Sequence, residues 1–162
     1  MQKIFSNIEK HQSKIAFIDN NFKEYNYSYV IQCVEKFRKC IQNKNLILMI
    51  GSNQAASALG YVSFLKLNHT LILLDESFSN EYIKKLIKIY KPEYIYGEEQ
   101  RLKQFNSKNC ELKCLNFILI KTEYKKDNKI NKKNLLLIST SGSTNNPKLV
   151  RLSNINISDN TK

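Results

Sequence analysis

Leu135-Leu136-Leu137-Ile138-Ser139-Thr140-Ser141-Gly142-Ser143-Thr144-Asn145-Asn146-Pro147-Lys148 runs from four apolar residues straight into hydroxyls. The apolar part is continuous, as in a strand buried on both faces. Five hydroxyl residues, one Gly, a Pro and a Lys then follow with no helical turn between. Small hydroxyl side chains let backbone N–H groups approach a polyanion closely. Gly142 opens dihedral angles that other residues avoid, and Lys148 adds a point charge. A strand that opens into such a loop is suited to wrapping phosphate oxygens.

Upstream, short apolar runs alternate with segments of helical period. Lys14–Ile18 and Phe22–Tyr27 flank the turn-forming Asp19-Asn20-Asn21 and predict a hairpin. Ser28 is expected to cap a helix carrying Val30, Val34, Phe37 and Ile41. Leu46–Ile50 reads as a buried strand, with Ser52 or Asn53 capping the helix that continues through Ala56, Leu59, Val62 and Leu65. Asn68 suits a left-handed helix stop. Thr70–Leu74 is a further buried strand, and Ser79 caps a helix carrying Ile83, Leu86, Ile87 and Tyr90 that stops before Pro92. Tyr94–Gly97, Asn116–Ile120 and Asn134–Ile138 complete the strands. Strands alternating with helices of this length predict an α/β fold of βαβ units with a largely parallel sheet, whose ligands gather at the strands' carboxyl ends. The hydroxyl-rich loop follows such an end.

The chain has 162 residues, 42% hydrophobic content, nine Tyr and eight Phe, enough for one core burying roughly 70% of the unfolded surface. No internal repeat or Pro/Gly-rich linker divides it. The net charge of +12 invites a nucleic-acid reading, but only Arg38, Arg101 and Arg151 are Arg. The lysines are scattered, apart from the polar run Lys121–Lys133. A surface reading bases would favour Arg with interleaved aromatics, so no specific nucleic-acid binding is expected. Four Cys without a Cys-x-x-Cys pair, and only His11 and His69, argue against a metal site and for thiols in a reducing cytoplasm. Met1–Asn7 meets charge and polarity at once, unlike a signal peptide. Asn45–Leu65 carries no charge and is long enough to span a bilayer, yet Gly51-Ser52-Asn53-Gln54 interrupts it. A strand, a tight turn and a helix explain the same residues, and no membrane span is expected.

Rival motifs fail on spacing. Gly51, Gly60, Gly97 and Gly142 lie too far apart for a dinucleotide-binding turn, and no Gly-Lys-Ser/Thr string supplies a Walker loop. Ser141-Gly142-Ser143 lacks the first Gly of a nucleophile elbow, and no His follows it to act as base.

Thr140-Ser141-Gly142-Ser143-Thr144-x-x-Pro147-Lys148-x-Val150 resembles the phosphate-loop signature of the adenylate-forming (AMP-binding) superfamily, the AMP-dependent synthetases and ligases that include acyl-CoA synthetases, adenylation domains and luciferases. All eight defined positions agree. Tyr25-Asn26-Tyr27-Ser28-Tyr29 is similar to the family's early threonine-tyrosine strand. Asn45–Leu65 is similar to its strand and uncharged helix, Thr70–Asp75 to its strand ending in Leu-Asp, and Lys91-Pro92 to the step before its next strand. Asn145 stands where the family usually has Gly, Leu149 where Gly is common, and Asn154 where His is usual.

The resemblance implies that residues 1–162 are a partial N-terminal AMP-binding domain, with no second domain. It implies a ligase that activates a carboxylic acid with ATP, accompanied by Mg2+, to an acyl-adenylate, then passes the acyl group to CoA or to a carrier thiol. Thr140, Ser141, Gly142, Ser143, Thr144 and Lys148 would hold phosphate; no catalytic residue or metal ligand is assigned. As a truncated fragment the chain is expected to be inactive alone and prone to aggregate through open sheet edges, unless a C-terminal polypeptide complements it. Two other readings stay open: a non-enzymatic phosphate- or nucleotide-binding module or half of a split enzyme, and a basic nucleic-acid-binding protein.

Overall fold

A computed structural model describes residue 5 and residues 7–105, 110–124, 134–139 and 149–159. After a short 3-10 turn at Ile8–His11, strands β1 (Ile15–Ile18) and β2 (Glu24–Asn26) pair as an antiparallel hairpin. Asp19 turns it, its Oδ1 accepting from the backbone N–H groups of Asn21 and Lys23. Helix α1 (Tyr27–Cys40) follows at once. Its cap is Asn26, whose side chain accepts from the Tyr29 N–H at 2.9 Å, rather than Ser28. The extended backbone of Asn26 ends β2 and opens α1 in a single residue, which leaves Ser28 inside the first turn.

The remaining strands build one seven-stranded sheet in the order β6-β7-β5-β3-β4-β8-β9. They are β3 (Leu46–Gly51), β4 (Thr70–Asp75), β5 (Tyr94–Glu98), β6 (Cys110–Cys114), β7 (Phe117–Lys121), β8 (Asn134–Ser139) and β9 (Leu149–Ser153). The pairs β3–β4, β3–β5 and β4–β8 are parallel, so the centre of the sheet is parallel. β7 and β9 run against their neighbours; β6, antiparallel to β7, regains the central direction. The expected largely parallel α/β sheet is present, with two reversed strands near its edges.

The chain leaves β3 through α2 (Ala55–Lys66) toward β4, then leaves β4 through α3 (Asn80–Tyr90) and passes back beyond β3 to β5. Opposite directions of travel put the two helices on opposite faces. The buried residues divide accordingly. Ile47, Met49, Leu71 and Tyr96 pack with Phe37 of α1 and Leu59 and Phe64 of α2. Leu48, Ile50, Ile72 and Ile95 pack with Ile83 and Leu86 of α3 and Leu102 of the short helix α4 (Glu99–Leu102). Strict alternation along β3 explains its unbroken apolar run, because both faces are covered.

An aromatic cluster locks the first face. Phe37, Phe64 and Tyr96 meet edge to face with centroids 4.7–5.5 Å apart, and Phe117 lies 5.3 Å from Tyr96. The Tyr96 hydroxyl donates to the Ala56 carbonyl at 2.8 Å. The ring lies so close to α2 that a Cβ on Gly60 would sit 2.2 Å from Tyr96 Cε1. Gly60 is therefore a packing requirement, and overfilling this contact would cost on the order of 1–3 kcal/mol or more.

The stops agree with the sequence in kind. Asn68 adopts φ 62°, and Ser79 Oγ accepts from the Tyr82 N–H to open α3. Lys91 ends α3 in the left-handed region just before Pro92. α2 departs from expectation: Gln54 stands at its cap position without a side-chain cap bond. Ser57 Oγ instead reaches back from the first turn to accept from the Ser52 N–H at 3.2 Å.

Candidate functional site

The strands β3, β4 and β8 finish side by side. Gly51 is in register with Asp75, and Leu73 of β4 with Ile138 of β8. Past these ends lies an open cleft of about 380 Å3, lined by Gly51, Ser52, Ser57, Leu73, Leu74, Asp75, Phe78, Ile138 and Ser139. Its volume is that of a small-molecule site, and it lies at the carboxyl edge of a doubly wound sheet. The floor is apolar, from Leu73, Leu74 and Ile138, while the rim is polar.

Each wall has its own brace. On the β3 side, Ser57 Oγ holds the turn through Ser52; a Cβ on Gly51 would meet that oxygen at 3.1 Å. The hairpin supports the same turn, since the Asn20 side-chain amide donates to the Asn53 carbonyl. On the β4 side, Ser77 N–H donates to Asp75 Oδ1 at 2.9 Å. Hydrogen bonds from Ser77, side chain first and backbone second, hold the exposed Asp75 carboxyl below its ordinary range. The Arg101 guanidinium donates to the Glu76 and Phe78 carbonyls and so ties this wall to α4. Phe78 stacks on Tyr82 with centroids 5.0 Å apart.

The β8 side joins the others through Tyr82, whose hydroxyl shares a 3.0 Å hydrogen bond with Ser139 Oγ. Ser139 closes β8 and is paired with Leu149, the first residue of β9. In sequence, residues 140–148 fall between these two paired residues, of which Ser139 lines the cleft. Thr140, Ser141, Gly142, Ser143, Thr144 and Lys148, the residues expected to hold phosphate, lie outside the described residues, as does Asn145. Leu149 and Val150 fall in β9, and Asn154 opens the short helix α5 (Asn154–Asp159).

Among the described lining residues, Asp75 alone carries a charge. No group of three or more His, Cys, Asp or Glu suited to a metal ion occurs among the described residues. No helix among them is long and apolar enough to cross a membrane. The uncharged run Asn45–Leu65 is β3, a turn and most of α2.

Sequence reasoning missed two of the bracing residues. Tyr82 and Arg101 read locally as ordinary helix positions, while Ser57 drew notice as turn and cap chemistry and Asp75 as the end of a Leu-Asp step. A hydroxyl or phenol in the first turn of a helix that follows a buried strand was the available signal.

No protein-family signature and no curated protein matches this chain. Solved structures do. The luciferase-like enzyme of the nonluminescent Zophobas morio mealworm superposes with a TM-score of 0.65 at 21% identity, covering 93% of this chain and 41% of that one. MatB of Rhodopseudomonas palustris gives a TM-score of 0.70 at 10% identity, covering 98% and 36%. The N-terminal subdomain of Klebsiella oxytoca NpsA, in complex with 3-hydroxyanthranilyl-AMSN, gives 0.60 at 13% identity, covering 93% and 39%. These neighbours are adenylate-forming enzymes. The fold is that of their N-terminal part. The chain spans well under half the length of each of these three neighbours, while nearly all of it is accounted for by the superposition.

Proposed function

We propose that this chain is the phosphate-binding portion of an AMP-dependent synthetase or ligase, which activates a carboxylic acid with ATP to an acyl-adenylate and then passes the acyl group to CoA or a carrier thiol. One observation carries the reading: β8 delivers Ser139 to the cleft, and the eight-position hydroxyl signature begins at the next residue. The adenylate-forming fold supports it independently.

In this reading the backbone and hydroxyls of Thr140, Ser141, Gly142, Ser143 and Thr144 embrace the outer phosphates of ATP. Lys148 neutralises the charge that builds on pyrophosphate as it leaves. Mg2+ enters on the ATP phosphates as part of the substrate. Tyr82 and Ser139 fix the direction in which the segment leaves the sheet, and a fixed donor array pays its ordering cost before ligand arrives. The acid and the acceptor thiol need further surfaces, supplied by a complementing C-terminal polypeptide or by more of the same protein. The 162 residues alone carry the pyrophosphate end of the reaction and are expected to form no acyl-adenylate.

Calorimetric titration with Mg-ATP and with Mg-pyrophosphate is the test. Saturable binding of both, weakened at least tenfold in Lys148→Ala, is the expected result. Binding that is indifferent to Lys148 and to Ser141→Ala/Thr144→Ala, or no binding at all, overturns the assignment. Pyrophosphate exchange by these residues alone with any carboxylic acid would overturn the division of labour.

A further inference from the structure

Four cysteines lie in two short segments, Cys33 and Cys40 on α1 and Cys110 and Cys114 in β6, and the fold packs α1 against β6. Cys40 Sγ donates to the Glu111 carbonyl at 3.7 Å. Two helical turns away along α1, Cys33 comes beside Cys114 of β6, with 3% and 7% of their surfaces exposed. Both line a small cavity of about 40 Å3 beside Tyr29, Lys36 and Lys113. A water-sized molecule needs roughly 10–15 Å3 on the same kind of measure, so a small polar oxidant fits where bulkier reagents do not.

We propose that Cys33 and Cys114 are a peroxide-oxidisable dithiol, a modification site at which hydrogen peroxide converts two buried thiols to a disulfide that staples α1 to β6. The two sulfurs play unequal parts. The contact between the two sulfurs favours the thiolate at Cys114, while the same contact and burial keep Cys33 protonated. The Lys36 ammonium, on the same cavity, favours the anion at either sulfur. The Tyr96 hydroxyl, whose single proton is committed to the Ala56 carbonyl, adds little. Cys114 is accordingly the attacking thiol and Cys33 the resolving one.

The Cys114 thiolate attacks one peroxide oxygen; the O–O bond breaks, and the departing hydroxide becomes water with a proton from solvent. Cys114 is now a sulfenic acid. The Cys33 sulfur attacks the Cys114 sulfur, the S–O bond breaks, and that oxygen leaves as a second water with the Cys33 proton. Two thiols are oxidised, one peroxide is reduced, and two waters form.

The test uses the whole chain, folded and reduced, exposed to stoichiometric hydrogen peroxide and then alkylated and mapped by peptide mass spectrometry. The expected product is a Cys33–Cys114 cross-linked peptide that forms before any other oxidised thiol, with a higher urea midpoint for the oxidised chain. Cys33→Ala should instead accumulate a sulfenic acid at Cys114 that dimedone captures once urea opens the peroxide-treated chain, and Cys114→Ala should abolish both products. A cross-link that forms only in urea, or oxidation that begins at Cys40 or Cys110, overturns the proposal. Should either variant fail to fold, the order of thiol loss in the unmodified chain decides it alone.

Discussion

At the amino ends of β3, β4 and β8 the connecting segments are sewn together, whereas at the carboxyl ends of the same strands they stand apart around a cleft. Asn45 N–H donates to His69 Nδ1 at 3.2 Å, and Thr70 N–H to the Asn45 carbonyl at 2.9 Å. Thr70 Oγ1 and Lys44 Nζ both donate to the Asn134 carbonyl, at 2.9 and 3.0 Å, so one residue of β8 is held from two sides. Burial pulls the Lys44 ammonium below its ordinary range. At the other edge the polar groups of Ser52, Asp75 and Ser139 border an opening of about 380 Å3. The difference shows how one sheet separates its tasks: hydrogen bonds that close loops on each other stabilise the fold, and those that brace loops apart leave room for a ligand.

Substitutions at the two edges should therefore separate stability from binding. The largest effect is expected from Lys148→Ala, which under the proposed function removes a charge-assisted contact to phosphate, worth about 1.5–3 kcal/mol. Mg-ATP affinity should fall tenfold or more, with the thermal midpoint unchanged; a large drop in midpoint would mean that this Lys supports the fold. Next, Thr70→Val at the opposite edge should lower the unfolding free energy in urea by about 1–2 kcal/mol. Its ATP affinity should stay within twofold, and a larger change would show that the two edges are coupled.

Tyr82→Phe removes the bond to Ser139 while keeping the stack on Phe78. A few-fold loss of ATP affinity, with a change in unfolding free energy under about 1 kcal/mol, would mark a residue that aims the loop. Equal affinity would place the aiming elsewhere. The smallest effect concerns acid. Because Asp75 has a lowered pKa in the folded state, its contribution to stability is present above the unfolded carboxylate value and is lost as pH falls through the lower folded value. The midpoint difference between the protein and Asp75→Asn should thus shrink as pH drops below about 4. A difference that persists unchanged into strong acid would remove Asp75 from that role.

Much of the architecture was legible in local signals. Ser79 at the start of α3, Asn68 after α2 and Lys91-Pro92 after α3 act within a few residues of themselves, and each behaves as its chemistry dictates. Caps were less legible where two candidates stood close together. Asn26 outcompetes Ser28 because β2 hands over to α1 without a loop, and Ser57 holds the α2 entry from inside the helix. β6 and β9 escaped notice because Cys110–Cys114 and Leu149–Ser153 mix charged and apolar residues, the pattern of edge strands with little to bury. Of the stretch that the sequence singled out, Ser139 at the carboxyl end of β8 lines the cleft, while residues 140–148 lie outside the described residues.

The order of short-range decisions, strand or helix, start or stop, follows from periodicity and turn chemistry that each stretch carries within itself. The strand order β6-β7-β5-β3-β4-β8-β9, the reversal of β7 and β9, the meeting of Cys33 with Cys114 and the bond from Tyr82 to Ser139 do not. Each depends on which distant segments become neighbours. That choice emerges when two apolar faces of one sheet are covered at once, by α1 and α2 on one side and α3 and α4 on the other.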